Sequence, residues 1–273
     1  MFKRLSAALI GSILFCIISI SSGGISASKN SVQSISSNNG KTMIACNIQK
    51  IDNRDKYIES LSKDDLETQR RLNQYMDAAA NNNNFHGEVL VEKGSRILLS
   101  KGYGMADYEK SIPNTSSTKL AIGSITKQFT SMAVMQLYEK GKLKLTDKLN
   151  KFFKDFPRGN EISIHQLLSH TSGIVNYTQL EEFYKLAPED LKSDNIIKLL
   201  YNKPLDFEPG QSWNYSNSNY LLLSKIIEKL SGMSLEEYME KNIFKPLDMK
   251  NTGACFSKGK IRLSAKGYTG YLD

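Results

Sequence analysis

The chain has 273 residues, of which 40% are hydrophobic and 23% are charged, as expected for a globular protein large enough to bury a core. Its formal net charge is +8, but residues 1–51 hold +5 of it and no acidic residue, which leaves +3 for residues 52–273. Scattered lysines in a mildly basic domain, without an arginine-rich stripe, argue against a nucleic-acid-binding surface.

The N-terminal segment has the order of a secretory signal peptide. Lys3 and Arg4 precede an uncharged, mostly apolar run of 16 residues, 5–20, and small residues then continue to Ala27. A permanent membrane anchor is the alternative, but this run is shorter than the about 18–20 residues that span a bilayer. The pattern predicts that residues 1–27 are removed and that the protein is periplasmic or secreted, with no membrane span after cleavage.

Residues 28–59 are rich in Ser, Asn and Lys and are predicted to be a flexible linker, which makes residues 60–273 the folded domain. Removal of the leader would leave two cysteines, Cys46 and Cys255. An exported compartment permits a disulfide between them. Two unpaired thiols are the alternative, because Cys46 lies in the predicted linker, and the pairing stays open.

The first elements of the folded domain are predicted to be a helix and a β-hairpin. Ser62 with Asp65 three residues on is a helix start signal, and apolar residues follow at helical spacing. Two strands, 85–92 and 95–100, are then joined by a turn at Lys93-Gly94.

A second helix is predicted over residues 124–140, and Gly141 is suited to end it. Apolar residues cover most of its circumference, so we expect a buried helix rather than a surface one. These residues are Ile125, Phe129, Met132, Ala133, Val134, Met135, Leu137 and Tyr138.

Three further helices are predicted downstream. Ser163 with Gln166, and Ser234 with Glu237, form capping boxes that begin two of them. Between these lies an amphipathic helix closed by Gly232, whose apolar residues are Leu222, Leu223, Ile226, Ile227 and Leu230. A hairpin after a helix, followed by a long helix-rich stretch, predicts an α+β fold with a helical subdomain.

The spacing Ser-x-x-Lys occurs five times and by itself carries no information. It begins at Ser26, Ser60, Ser116, Ser124 and Ser257. Only Ser124 opens a predicted apolar helix, where Lys127 lies one turn later on the same face. The positive end of the helix dipole would lie beside this serine, and a lysine partly removed from water could accept its proton.

The sequence Tyr215-Ser216-Asn217 follows a Pro-Gly turn and precedes a predicted helix. Tyr215 could exchange a proton if a cation such as Lys127 were near, and Asn217 offers a donor and an acceptor to an amide. Taken singly, a serine at a helix start is usually an N-cap, and a Tyr-x-Asn before a helix is usually turn chemistry. Together and in this order the two motifs are far more specific.

Five segments resemble class C β-lactamases and the related penicillin-binding proteins and esterases. They are Gly-Ser-Ile-Thr-Lys-Gln-Phe-Thr at 123–130, Leu-Leu-Ser-His-Thr-Ser-Gly at 167–173, Phe-Glu-Pro-Gly at 207–210, Tyr-Ser-Asn at 215–217 and Asn-Ile-Phe-Lys-Pro-Leu-Asp-Met at 242–249. The resemblance implies a β-lactamase/transpeptidase-like α+β fold, in which helices flank an antiparallel sheet. It also implies that Ser124 is acylated, that Lys127 and Tyr215 shuttle protons, and that Asn217 holds the substrate amide. The backbone N–H of Ser124 would form half of an oxyanion hole.

One departure from the family pattern is expected to limit activity. The family has a third motif, Lys or His, then Thr or Ser, then Gly, on an inner strand, and the 273 residues contain no such triplet. The resemblance therefore predicts that the C-terminal strands are missing and that residues 60–273 are an incomplete domain. The alternative to an exported serine hydrolase is a truncated, inactive remnant or a weak penicillin-binding or peptidoglycan-binding protein.

The expected substrate is a small molecule or a peptidoglycan peptide, and the sequence leaves a β-lactam, a D-alanyl peptide and an ester open. His165 and His170 lack a nearby acid or cysteine at metal-ligand spacing, so we predict cap and loop hydrogen bonds rather than a metal site. No cofactor is expected, and the protein is predicted to be a monomer.

Overall fold

The computed structural model describes residues 61–82, 85–253 and 265–268. The predicted signal peptide, the whole of the predicted linker and both Cys46 and Cys255 lie outside these residues. The described residues divide into two compact units, one with the residues up to Ser116 together with 266–268 and the other with the residues from Ser117 to Ala265. No helix in the described part is long and apolar enough to cross a membrane.

The first unit begins with helix α1, Lys63–Asn81, as the start signal at Ser62 predicted. The Ser62 hydroxyl accepts the Asp65 N–H at 3.1 Å, and the Asp65 carboxylate accepts the Ser62 N–H at 3.3 Å. Asp65 is also buried and pairs with Lys93 and Arg96, each at 3.0 Å. These hydrogen bonds, led by the one from Lys93, hold the pKa of Asp65 below its usual value, so one carboxylate joins the helix start to the hairpin.

The predicted hairpin is present as antiparallel strands β1, Gly87–Lys93, and β2, Arg96–Tyr103. The predicted turn was one residue early. Gly94 and Ser95 both have positive φ, 55° and 68°, which is the backbone of a two-residue hairpin loop, while Lys93 still pairs with Arg96. A second, smaller hairpin follows, formed by β3, Met105–Asp107, and β4, Ile112–Pro113.

The second unit is helical in its described residues. A 3₁₀ turn at Gly123–Ile125 leads into α2, and further 3₁₀ turns of the same length occur in the loops. The α-helices are α2, Thr126–Glu139; α3, Ile164–Leu168; α4, Glu181–Tyr184; α5, Ser193–Leu200; α6, Asn217–Ser231; and α7, Leu235–Met239, which continues into a π-helical turn at Glu240–Phe244. Helices with small antiparallel sheets make the fold α+β, as predicted.

Helix α6 lies at the centre of the core of this unit. Four of its apolar side chains are fully buried, Leu222, Leu223, Ile226 and Ile227. They belong to one cluster with residues of α2, α3, α5 and α7. Each buried methylene is worth about 0.8 kcal/mol, so this one helix supplies much of the hydrophobic stabilisation of the unit.

The helix predicted over residues 124–140 is present as α2, but the prediction that most of its circumference would be buried was wrong. Helix α2 buries one stripe, made of Thr130, Ala133, Val134 and Leu137. The side chains of Met132, Met135 and Tyr138 are 52%, 37% and 44% exposed. The buried stripe follows the helical repeat and packs toward α6 and α7, whereas apolar composition alone could not show which faces would be covered.

The predicted capping boxes at α3 and α7 are confirmed, and the second yields a stability prediction. The Ser234 hydroxyl accepts the Glu237 N–H at 3.2 Å, and Glu237 accepts the Ser234 N–H at 2.9 Å. Ser234→Ala removes one half of this pair and should lower the free energy of unfolding by about 1 kcal/mol, measured by urea or thermal denaturation.

The matched control is Ser193→Ala at the start of α5, where Lys192 occupies the N-cap position without a side-chain capping bond. This change should be close to neutral. An equal loss of stability in both variants would contradict the assignment of the cap.

Candidate active site

Ser124 lies in the 3₁₀ turn that leads into α2, and its side chain is exposed. Gly123 before it has a φ of 50°, a left-handed conformation that glycine adopts without penalty. In the first turn of a helical segment the backbone N–H groups have no intrahelical partner and carry positive partial charge. The hydroxyl and N–H of Ser124 are therefore placed where a negatively charged oxygen would be stabilised.

Lys127 lies one turn after Ser124, as the spacing predicted. Its Nζ donates to Ser124 Oγ at 3.2 Å and to Asn217 Oδ1 at 2.8 Å. The ammonium also lies 4.7 Å from the ring centroid of Tyr215 and 5.5 Å from that of Tyr220. Two polar partners and two aromatic faces thus hold the cation next to the serine hydroxyl.

Tyr215 approaches the serine from the segment before α6. Its phenol Oη donates to Ser124 Oγ at 2.7 Å. The serine oxygen therefore lies within hydrogen-bond distance of both Lys127 and Tyr215, the two groups to which the sequence assigned its proton. The structure brings all four predicted site residues, including Asn217, into one cluster within the second unit.

Asn217 is the first residue of α6, and its amide is already engaged. Oδ1 accepts the Lys127 ammonium, and Nδ2 donates to Thr178 Oγ1 at 3.3 Å. Its backbone N–H donates to Asn176 Oδ1 at 3.2 Å. Asn217 therefore orients Lys127, a contact that sequence reasoning missed, and its predicted contact with a substrate amide stays a prediction.

A loop formed by residues 170–178, here called the support loop, packs behind the Tyr215 segment. Ser218 Oγ donates to the Val175 carbonyl at 2.6 Å, and Ser172 Oγ donates to Asn219 Oδ1 at 2.7 Å. Gly173 in this loop has a φ of 77°, and a Cβ added there would lie 2.1 Å from the carbonyl oxygen of Phe207. The loop fits closely because it carries no side chain at this point.

His170, for which the sequence predicted only loop hydrogen bonds, lies next to the site. Its side chain is buried, and its Nδ1 accepts the Ser216 N–H at 3.2 Å. Its ring centroid lies 4.6 Å from that of Tyr215 and 5.2 Å from that of Tyr220. The predicted role in loop hydrogen bonding is present, but the contact with Tyr215 joins segments 45 residues apart that no local spacing connects.

Burial lowers the pKa of His170 below its ordinary value of 6.5, and the charge of Lys127 lowers it further. His165 is exposed on α3 and has no comparable environment. Among the described residues, no three His, Cys, Asp or Glu side chains are grouped in a way that could hold a metal ion.

A family model described as Beta-lactamase matches residues 70–270. This span contains both units' described elements except the start of α1, and it contains all of the residues in the cluster around Ser124.

The proteins to which the chain is similar include two curated proteins and one solved structure. PbpX of Bacillus subtilis (strain 168), named as a penicillin-binding protein, is 35% identical over 184 residues, which are 67% of this chain and 45% of that protein. A teichoic acid D-alanine hydrolase of Staphylococcus aureus (strain MRSA252) is 30% identical over 194 residues, which are 71% and 47% of the two chains. The octameric penicillin-binding protein homologue from Pyrococcus abyssi aligns with a TM-score of 0.59 at 32% identity, over 66% of this chain and 43% of that chain. The chain therefore spans less than half the length of each of these proteins.

Proposed function

The chain belongs to the β-lactamase family of serine hydrolases and has its β-lactamase/transpeptidase-like fold, and from this membership we propose that it is an exported hydrolase that forms an acyl-enzyme on Ser124. The observation that carries the proposal is the position of Ser124 Oγ, 3.2 Å from Lys127 Nζ and 2.7 Å from Tyr215 Oη. A hydroxyl with two such neighbours can lose its proton as it attacks a carbonyl.

The proposed reaction proceeds in two halves. Ser124 Oγ forms a bond to the substrate carbonyl carbon, and its proton passes to the Lys127–Tyr215 pair in the form that holds one proton fewer, either a phenolate beside the ammonium or a phenol beside the neutral amine. The bond to the leaving nitrogen or oxygen then breaks, and that atom receives the proton from the same pair. Water attacks the acyl carbon in the second half, loses its proton to the pair and releases Ser124 as the free hydroxyl. The Ser124 N–H stabilises the carbonyl oxygen while it carries negative charge.

The proposed substrates are D-alanyl esters and amides, and β-lactams would acylate the same serine. The support for this choice is the nature of the relatives, one a teichoic acid D-alanine hydrolase and another a penicillin-binding protein. Asn217 is proposed to bind the substrate amide with the Nδ2 hydrogen that faces away from Thr178, while its Oδ1 stays on Lys127.

Mass spectrometry of the acylated protein tests the proposal. The protein is incubated with a fluorescent penicillin, with a D-alanyl p-nitrophenyl ester and with a D-alanyl-D-alanine peptide, then quenched and digested with trypsin. Cleavage after Lys119 and Lys127 leaves an eight-residue peptide, 120–127, in which Ser124 and Thr126 are the hydroxyl side chains. Fragmentation should place the acyl group on Ser124.

An acyl group on another residue, or a folded protein that takes up none of the three reagents, would contradict the proposed function. An adduct that forms and is never released would instead favour the alternative of a penicillin-binding protein without turnover.

Export is proposed from the leader pattern and is tested separately. The mature protein should begin near Ser28, because the small residues up to Ala27 follow the apolar run. N-terminal sequencing of the protein from its native host, after separation of the cytoplasm from the envelope and medium, measures this. Intact Met1 in the cytoplasmic fraction would be inconsistent with export.

A further inference from the structure

His170 contacts the Tyr215 segment at three points. Its carbonyl oxygen accepts the N–H of Asn214 at 3.1 Å, and its Nδ1 accepts the N–H of Ser216 at 3.2 Å. Its ring packs against the phenol ring between them, at 4.6 Å between centroids and an interplanar angle of 32°. One residue therefore fixes the backbone on both sides of Tyr215 as well as the plane of its ring.

The hydrogen bond from the Ser216 backbone N–H to His170 Nδ1 requires one protonation state of the imidazole. Because Nδ1 accepts a backbone N–H, it carries no proton, and the neutral ring has its hydrogen on Nε2. The Asn219 Nδ2 group also lies 3.4 Å from Nδ1, so a second donor faces the same nitrogen. A proton on Nδ1 would face two N–H donors and break both contacts.

The charged and titratable groups around the ring also favour its neutral form. The Lys127 ammonium on α2 lies over the rings of Tyr215 and Tyr220. The imidazole of His170 packs against the same two rings. No described carboxylate contacts the ring, and the neighbours from the support loop and α6, Ser172 and Asn219, are neutral and bonded to each other. An imidazolium here would face the positive charge of Lys127, which disfavours it.

From this geometry we propose that neutral His170 is a positioning residue for the acylation of Ser124, because it holds Tyr215 Oη at hydrogen-bond distance from Ser124 Oγ. The inference rests on the proposed function of Ser124. It goes further by assigning to the support loop a role in the chemical step and by making that role depend on the charge of one histidine.

The expected pH dependence follows from the lowered pKa of His170. The ring is neutral near pH 7, since its pKa lies below 6.5. As the pH falls from 6.5 through that lowered value, the ring takes up a proton, the Ser216 contact breaks, and Tyr215 is released from its position. The rate of acylation should therefore fall on the acid side, in step with protonation of this one side chain.

Two substitutions of His170 test the contribution of its hydrogen-bond acceptor and the contribution of its ring separately. His170→Asn keeps an acceptor near the position of Nδ1 and tolerates the left-handed backbone at φ 60°, but it has no ring and does not titrate. His170→Phe keeps a ring and loses the acceptor. Single-turnover acylation by a fluorescent penicillin gives the rate constant at saturation and the apparent binding constant for each variant, between pH 5 and 8.

Both variants should lower the saturating rate constant by up to roughly 10²-fold with little change in the binding constant, as expected for a displaced proton-transfer group. His170→Asn should also lose the acid-side fall in rate. The matched control, His165→Asn on the exposed face of α3, should behave as the wild type. Folded His170 variants that acylate at the wild-type rate with the wild-type pH profile would overturn the inference.

A second measurement decides the matter if both variants fail to fold. The chain has three histidines, so His86→Asn with His165→Asn leaves His170 as the single imidazole. Its C–H resonances in NMR should titrate at the same pH at which acylation falls in that protein. Titration and acylation at clearly different pH would refute the inference. Labelling that persists in Ser124→Ala would instead refute the proposed function, so the two failures are distinguishable.

Discussion

Ser124→Ala should abolish covalent labelling by a fluorescent penicillin or a fluorophosphonate, while the thermal unfolding curve stays close to that of the wild type. The hydroxyl is exposed and is bonded to Lys127 and Tyr215, so its removal leaves no cavity in the core. The loss is complete because no other atom can form the proposed acyl bond.

Ser116→Ala is the matched control, since Ser116 begins another Ser-x-x-Lys sequence in the chain. It should label at the wild-type rate. Lys127→Ala retains the nucleophile and removes the adjacent base, so its labelling should fall by about 10²–10⁴-fold without unfolding. Undiminished labelling of Ser124→Ala, or of a folded Lys127→Ala, would remove the corresponding residue from the proposed mechanism.

Gly173→Ala is expected to destabilise the second unit strongly. A non-glycine residue at a φ of 77° costs about 1–3 kcal/mol. The added Cβ would also lie 2.1 Å from the Phe207 carbonyl oxygen, which is backbone and cannot rotate away. The support loop must then move from the Tyr215 segment, so labelling of Ser124 should fall together with the midpoint of thermal unfolding.

Gly232→Ala at the end of α6 separates the two causes. Gly232 has a φ of 71°, and an added Cβ would meet no atom within 4 Å. This variant experiences the backbone penalty alone, so the difference between the two changes in unfolding free energy measures the overlap with Phe207. Equal effects at the two glycines would show that the close approach at Gly173 is unimportant.

Sequence signals over three or four residues predicted local structure well. The helix start signal at Ser62 and the capping boxes at Ser163 and Ser234 were found because both partners of each lie within one helical turn. The spacing of Ser124 and Lys127 placed them together for the same reason. Resemblance to a family then predicted that Tyr215 and Asn217 would join them, which no periodicity could have done.

Contacts that join distant segments were not predictable from single residues. Apolar composition indicated that α2 would be buried, but only packing against other helices decides which stripe is covered, and Met132 remains half-exposed. The bond from Asn217 to Thr178 and the packing of His170 on Tyr215 depend on how the support loop folds over the start of α6. A histidine in a Ser-His-Thr-Ser sequence carries no local signal for such a position.

The bonds from Lys127 to Asn217 and from Tyr215 to Ser124 join residues 90 and 91 positions apart. Closing loops of this length is entropically unfavourable until the intervening helices have packed, so the nucleophile should acquire its reactivity late in folding. Pulse labelling with a fluorescent penicillin during refolding would then measure the time at which Ser124 becomes reactive. If the helical circular dichroism of the protein recovers before it accepts a penicillin, the delay between the two signals gives the time for which the helices exist before Lys127 meets Asn217 and Tyr215 meets Ser124.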